Sequence, residues 1–243
     1  MKLHGLDLFS GIGGNTLALR EWVKTIAYCE ADRHAQSVLL SRMADGSIEK
    51  APIWNDVSTL GSKHFNVPID IVVAGFPCQD ISLAGLGAGL GGKRSGLFFE
   101  IMRLAKELKP TFLFLENVPA IRTRGLDRVI QELAQAGYDS RYDFLSAFDV
   151  GAPHKRERWF LVAYSNSRRD GQMPIQELSP LSQSASSNQR GQAWSPEPNV
   201  GRVVDGFLLR VDRIKRLGNS VVPQQAQEAF KRLIGLKKER IGA

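Results

Sequence analysis

The sequence predicts an α/β fold with a mostly parallel sheet and helices on both faces. Three observations predict it. Apolar runs without polar alternation, such as residues 71–74 (IVVA) and 111–115 (TFLFL), have the composition of strands covered on both sides. Between such runs, apolar residues recur at helical spacing, as at Leu97, Ile101, Leu104 and Leu108. Glycine turns or acidic residues close successive runs, at the sheet edge where open α/β folds collect ligands.

The first run, Leu6, Leu8 and Phe9, carries Asp7 and leads into Ser10-Gly11-Ile12-Gly13-Gly14, then a helical pattern through Leu17, Leu19, Trp22 and Val23. A strand, glycine turn and helix in this order brings backbone N–H groups close to a ligand. The full dinucleotide spacing is absent, so a plain tight turn is an equal reading. The next run, residues 25–29, ends at Glu30, whose distance from Gly13 is close to the roughly 20 residues that separate turn and ribose-binding acid in nucleotide-binding folds. Asp32 has the character of an N-cap for a helix with Ala35, Val38, Leu39 and Met43 on its apolar face. Residues 52–57 give a brief third strand ending near Asp56, which either binds an exocyclic amine or caps a turn.

The run at residues 69–74 leads into Gly75-Phe76-Pro77-Cys78-Gln79. A cysteine just past a strand end is a candidate nucleophile, although free cysteines often serve as small buried hydrophobes. The loop that follows, residues 83–95, holds glycines at 85, 87, 89, 91 and 92 with Lys93 and Arg94, a composition suited to closing over a substrate. After the helix at residues 97–108 and the strand at 111–115 comes Glu116-Asn117-Val118-Pro119. Glu116 reads either as a solvated loop acid or as a proton donor whose pKa is raised by apolar surroundings. A helix near residues 126–136, a strand over 138–147 and the basic cluster His154-Lys155-Arg156-Glu157-Arg158 then lead into a strand at 159–163. Guanidinium forks there suit phosphate or base edges, and clustered arginines also serve as plain solvated faces.

A chain of 243 residues suffices for one large α/β domain with a small appendage. Residues 1–163 read as the catalytic and cofactor-binding part, 164–212 as a polar insert poor in apolar residues, and 213–243 as a closing motif and helix that return to the first part. A formal charge of +7 reads equally as the mark of a polyanionic partner, since Lys and Arg neutralise phosphate, or as that of a merely soluble basic protein. Two cysteines and four histidines lack metal-ligand spacing, so no metal is expected. The amino terminus is too glycine-rich for a secretory signal and no run reaches a membrane span, giving expectations of no membrane and a cytoplasmic location. A monomer is the default expectation.

Together these motifs resemble the cytosine-5 DNA methyltransferase family across nearly the whole chain except the insert. Asp7-Leu8-Phe9-Ser10-Gly11-Ile12-Gly13-Gly14 looks like its cofactor turn, and Gly75-Phe76-Pro77-Cys78-Gln79 like its nucleophile motif. Glu116-Asn117-Val118 looks like its acid motif, Arg156 and Arg158 like its arginine pair, and Gly218-Asn219-Ser220-Val221 like its closing motif. The resemblance implies a Rossmann-like fold with a seven-stranded sheet, S-adenosylmethionine as methyl donor, S-adenosylhomocysteine as product and double-stranded DNA as partner. It also implies roles. Phe9, Gly11 and Gly13 would surround the donor, Glu30 would hold its ribose and Asp56 its adenine amine, and Leu97, Asn219 and Ser220 would complete the pocket. Cys78 would attack C6 of a flipped cytosine, Glu116 would hydrogen-bond or protonate N3, and Arg158 would contact the base carbonyl with Arg156 in support. Gln79, Ser82, Lys93 and Arg94 would contact DNA. His154-Lys155 and Ala31 depart from the family pattern, which bears on affinity rather than reaction class. An RNA cytosine methyltransferase and a catalytically silent nucleic-acid-binding relative are the alternatives.

Overall fold

The apolar runs pair into one mixed sheet. In the computed structural model, residues 2–76, 96–166 and 220–235 are described. Their elements are β1 (Leu3–Leu8), α1 (Gly14–Leu19), β2 (Val23–Cys29), α2 (Arg33–Ala44), β3 (Ile53–Trp54), β4 (Ile71–Gly75), α3 (Leu97–Leu108), β5 (Phe112–Asn117), α4 (Ile121–Arg124), α5 (Leu126–Gln135), β6 (Tyr138–Leu145), β7 (Arg158–Ser165) and α6 (Pro223–Leu233), with short 3-10 turns between some of them. The seven strands lie in the order β3-β2-β1-β4-β5-β7-β6. The pairs from β3 to β5 are parallel, and β7 runs antiparallel to both β5 and β6.

The two-sided hydrophobicity of the strands has a direct cause in the packing. Val72 and Ala74 of β4, with Leu113 and Leu115 of β5, pack against Phe98, Ile101 and Leu104 of α3 on one face. Ile71, Val73, Phe112 and Phe114 turn to the other face and meet Ala18 and Leu19 of α1 and Phe230 and Leu233 of α6. Phe114 is the joint of that second core, stacked on Phe160 at 5.8 Å and edge-on to Phe230 at 5.4 Å. Truncating a core aromatic of this kind to alanine costs about 3–5 kcal/mol.

Several boundaries differ from the sequence pattern, each for a local reason. The first helix stops at Leu19 rather than continuing through Trp22 and Val23, because Leu3 N–H bonds the Trp22 carbonyl at 2.8 Å and Val23 pairs with Leu3 to open β2. Strand β1 ends at Leu8, and Phe9 takes a left-handed φ of 55°. The third strand keeps only two residues, since Asp56 caps a 3-10 turn at Val57–Thr59 through Ser58 N–H. Glu116 and Asn117 lie inside β5 instead of beyond it, paired with Phe160 and Trp159 of β7. Strand β6 ends at Leu145, where Ser146 caps the turn Ala147–Val150. Strand β7 reaches Ser165, two residues into the segment expected as the insert.

Candidate active site

The parallel strands present their carboxyl ends to one cavity of about 630 Å³, a size suited to a nucleoside-bearing ligand. Its first wall comes from β1, β2 and β3. Gly13 has a φ of 82° that favours glycine, and it turns the chain into α1. A methyl group at Gly13 would sit 3.2 Å from Leu39 and 3.5 Å from Ile48, so this glycine faces the packing of α2 and is not among the residues lining the cavity. Phe9 and Gly11 do line it. Left-handed backbone at a non-glycine such as Phe9 costs about 1 kcal/mol or more, and the turn after it is braced from β2. Glu30 Oε2 accepts the Gly11 N–H at 2.7 Å, and Oε1 accepts the Asp32 N–H at 2.8 Å. Each oxygen keeps a second acceptor site, so Glu30 holds the turn and still faces the cavity. Asp56 Oδ1 caps its turn through Ser58 N–H at 2.9 Å while the residue lines the same wall. The capping and ligand readings of Asp56 are therefore compatible.

The second wall comes from β4, β5 and β7. Phe76, just past β4, is fixed by Phe98 at 5.4 Å and Trp159 at 6.5 Å. Its carbonyl accepts a hydrogen bond from Asn117 Nδ2 at 2.9 Å, which anchors the backbone two residues before Cys78. Glu116 lines the cavity, and its Oε1 lies 3.0 Å from Arg158 Nε. Burial pushes the Glu116 carboxyl up to about 7, with Arg158 and then Arg156 pulling the other way. This acid therefore keeps its proton well above the ordinary carboxylate range. Arg156 has a φ of 28°, and its guanidinium donates to the Ser220 carbonyl. Gln225 of α6, fully buried, donates through Nε2 to Leu145 O at 2.7 Å and Arg156 O at 2.8 Å. The segment Ser220–Val221 is thus latched to the arginine turn and lines the cavity, as does Leu97 at the start of α3. Gly14 explains its close approach: a methyl group there would meet Val221 Cγ1 at 2.8 Å.

Of the sequence-predicted residues, Phe9, Gly11, Glu30, Asp56, Leu97, Glu116 and Ser220 come together around the cavity, with Arg158 and Arg156 behind Glu116 and Ser220. Cys78, Gln79, Ser82, Lys93, Arg94 and Asn219 lie outside the described residues. Three further groups escaped sequence reasoning. Asp7, which belongs to the cofactor-turn motif but carried no assigned role, is buried within β1 and pushed up to about 7 by burial, with its Oδ2 accepting the Thr16 hydroxyl at 2.5 Å. Asn15 lines the cavity with a buried amide, and Gln225 holds the arginine turn. A polar residue inside an otherwise apolar run was the available signal for Asp7, and nothing local marks Asn15 or Gln225. Cys29 also borders the cavity, but burial and then the charges of Glu30, Asp56 and Asp7 push its thiol up to about 12. It is a poor nucleophile.

The residues fit an S-adenosylmethionine-type ligand: acids toward the β2 and β3 ends for hydroxyls and an amine, apolar Phe9 and Leu97 for a ring, and an amide with an unsatisfied oxygen at Asn15. Among the described residues, no group of three or more His, Cys, Asp or Glu could hold a metal ion, and no helix is long and apolar enough to cross a membrane.

Comparison with known proteins points the same way. The model of the family described as C-5 cytosine-specific DNA methylase matches residues 3–202. The chain is 32% identical over 231 residues to the Type II methyltransferase M.CviJI of Paramecium bursaria Chlorella virus IL3A, covering 95% of this chain and 59% of that protein. It is 35% identical over 168 residues to M.NgoBI of Neisseria gonorrhoeae, covering 67% of this chain and 50% of that protein. A crystal structure from an Escherichia coli prophage, described as a DNA modification methyltransferase, superposes with a TM-score of 0.56 at 28% identity, over 69% of this chain and 48% of the other. The chain spans about half the length of the curated relatives it matches.

Proposed function

Because the chain belongs to the C-5 cytosine-specific DNA methylase family, we propose that it methylates C5 of a flipped cytosine in double-stranded DNA through a covalent Cys78 adduct. The observation that carries this reading is the buried Glu116–Arg158 pair at the cavity's second wall, an acid whose pKa burial raises beside a cation 3.0 Å away. S-adenosylmethionine, when bound, supplies an electrophilic methyl group. Glu30 would hold its ribose and Asp56 its adenine amine, with Phe9, Leu97 and Ser220 enclosing it.

Cytosine C5 is a weak nucleophile, and covalent addition at the neighbouring carbon divides a hard step into easier ones. The Cys78 thiolate forms a bond to C6, and the electron pair of the C5–C6 double bond shifts toward C5. Glu116 delivers its proton to N3, which prevents negative charge from building on the ring. Arg158 orients Glu116 and stabilises the base carbonyl, while Arg156 fixes the turn that carries Arg158. After methylation, solvent water takes the C5 proton, the C5–H electron pair re-forms the C5–C6 double bond and expels the Cys78 thiolate from C6, and N3 returns its proton to Glu116. A stacked duplex hides these atoms, so the base must leave the helix. Gln79, Ser82, Lys93 and Arg94 are proposed to contact the DNA, and the net charge of +7 supports a polyanionic partner.

The test is methyl transfer from labelled S-adenosylmethionine to duplex DNA by the full chain, with bisulfite sequencing of the product. Label at C5 with wild type and none with Cys78→Ser is the expected result. Equal incorporation by Cys78→Ser overturns the adduct. A parallel reaction with transfer RNA that alone takes label moves the activity to RNA cytosine.

A further inference from the structure

The structure holds a polar group that the roles above leave unused. Asn15 is 8% exposed, lines the cavity, and its Oδ1 is buried without a hydrogen-bond partner. Its neighbours in α1, Thr16 apart, are Leu17, Ala18 and Leu19, so an apolar residue would serve the helix as well. A buried amide oxygen without a partner is destabilising, and a ligand seated in the cavity that Asn15 lines would satisfy it.

Its position selects which part of a ligand that is. In the strand order β3-β2-β1-β4-β5 the chain reverses its direction of winding between β1 and β4, the crevice where doubly wound sheets seat ligands. Glu30 and Asp56 occupy the β2 and β3 side of this crevice, and Glu116 the β5 side. Asn15 stands between them: a methyl group at Gly75 would lie 3.6 Å from Asn15 Nδ2 and 3.0 Å from Glu116 Oε2. A donor with its nucleoside toward Glu30 and Asp56 extends its remaining portion, a zwitterionic amino acid, toward β1 and β4. A primary amide supplies both a donor for a carboxylate and an acceptor for an ammonium, and turning the amide over exchanges the two without changing that inventory.

We propose that Asn15 binds the amino-acid end of the methyl donor, serving donor affinity rather than the chemistry at the base. This assignment rests on the function proposed above. It is tested by titrating the full-length protein with S-adenosylhomocysteine and with 5′-methylthioadenosine, which has the nucleoside and thioether but no amino acid. In Asn15→Leu, the dissociation constant for S-adenosylhomocysteine is expected to rise about tenfold or more, while that for methylthioadenosine changes by less than about twofold. Asn15→Asp, which keeps the shape and the acceptor but repels a carboxylate, is expected to give the same selective loss and serves if the leucine variant fails to fold. Equal weakening of both compounds, or of neither, overturns the assignment. Unchanged S-adenosylhomocysteine affinity with a reduced kcat/KM for DNA also overturns it and moves the amide to the base side. Wild-type protein that binds neither compound overturns the donor reading itself, and this assignment with it.

Discussion

Arg158 Nε lies 3.0 Å from Glu116 Oε1, and each of the two side chains is only 11% exposed. The guanidinium opposes the rise that burial imposes on the carboxyl, so removing it leaves Glu116 holding its proton to still higher pH. In Arg158→Met, the basic limb of the kcat/KM profile is expected to move to higher pH while the maximum falls about a hundredfold through loss of charge stabilisation. Stopped-time methylation assays across pH 6–10 check this. A limb that stays in place would show that Glu116 is not the titrating acid.

Stability is expected to fall as pH rises from about 5 to 8. Asp7 and Glu116 are both pushed up to about 7, mainly by burial, so the folded chain binds their protons more tightly than the unfolded chain does. Their stabilising contribution is complete below the ordinary carboxylate range and is lost as pH climbs through the folded value. Asp45, Asp56 and Glu107, held low by hydrogen bonds from Ser47, Ser58 and Ser62, act with the opposite sign and at lower pH. Urea midpoints at pH 5 and 8 measure the slope, and Asp7→Asn combined with Glu116→Gln should flatten it.

Cys29 is shielded from reagent in the folded chain. Cys29 is 2% exposed and its thiol is pushed up to about 12, so it stays almost entirely protonated at pH 8. Iodoacetamide at that pH is expected to leave Cys29 unmodified in the native protein and to label it fully in urea, as read by peptide mass spectrometry. Comparable labelling in both states refutes the buried placement.

Gln225 reaches from α6 to the carbonyls of Leu145 and Arg156 at 2.7 and 2.8 Å. Gln225→Met keeps the volume but abandons both acceptors, which should destabilise the fold by about 2 kcal/mol. The strained Arg156 turn then loses a restraint, so kcat should drop more than KM changes. Chemical denaturation and steady-state kinetics separate the two effects, and unaltered kcat would assign Gln225 to stability alone.

Much of this architecture could be read from residue order. The β-branched and aromatic runs at 71–74 and 111–115 announced strands covered on both faces, and α3 followed from the spacing of Leu97, Ile101, Leu104 and Leu108. Glu30, Asp56 and Glu116 stood out because they follow successive apolar runs, at the sheet edge where open α/β folds collect ligands. Tertiary context hid the rest. Trp22 leaves the helix because it fills a gap against Phe230 at 5.4 Å, a demand no local pattern expresses. Asn15 and Gln225 are ordinary helical residues until the partners they face, or lack, become visible.

The reversed strand β7 carries a consequence for how the chain can be cut and varied. Glu116 is delivered by a strand running toward the cavity and Arg158 by one running away from it, and the ladder pairing Glu116 with Phe160 sets their separation. The roughly forty intervening residues act as a tether rather than a spacer, so their length does not determine the spacing of acid and cation. Fragments divided near the turn before β6 should therefore complement one another, with strand pairing alone restoring the alignment, whereas a one-residue slip of that ladder would turn Arg158 to the opposite face of the sheet.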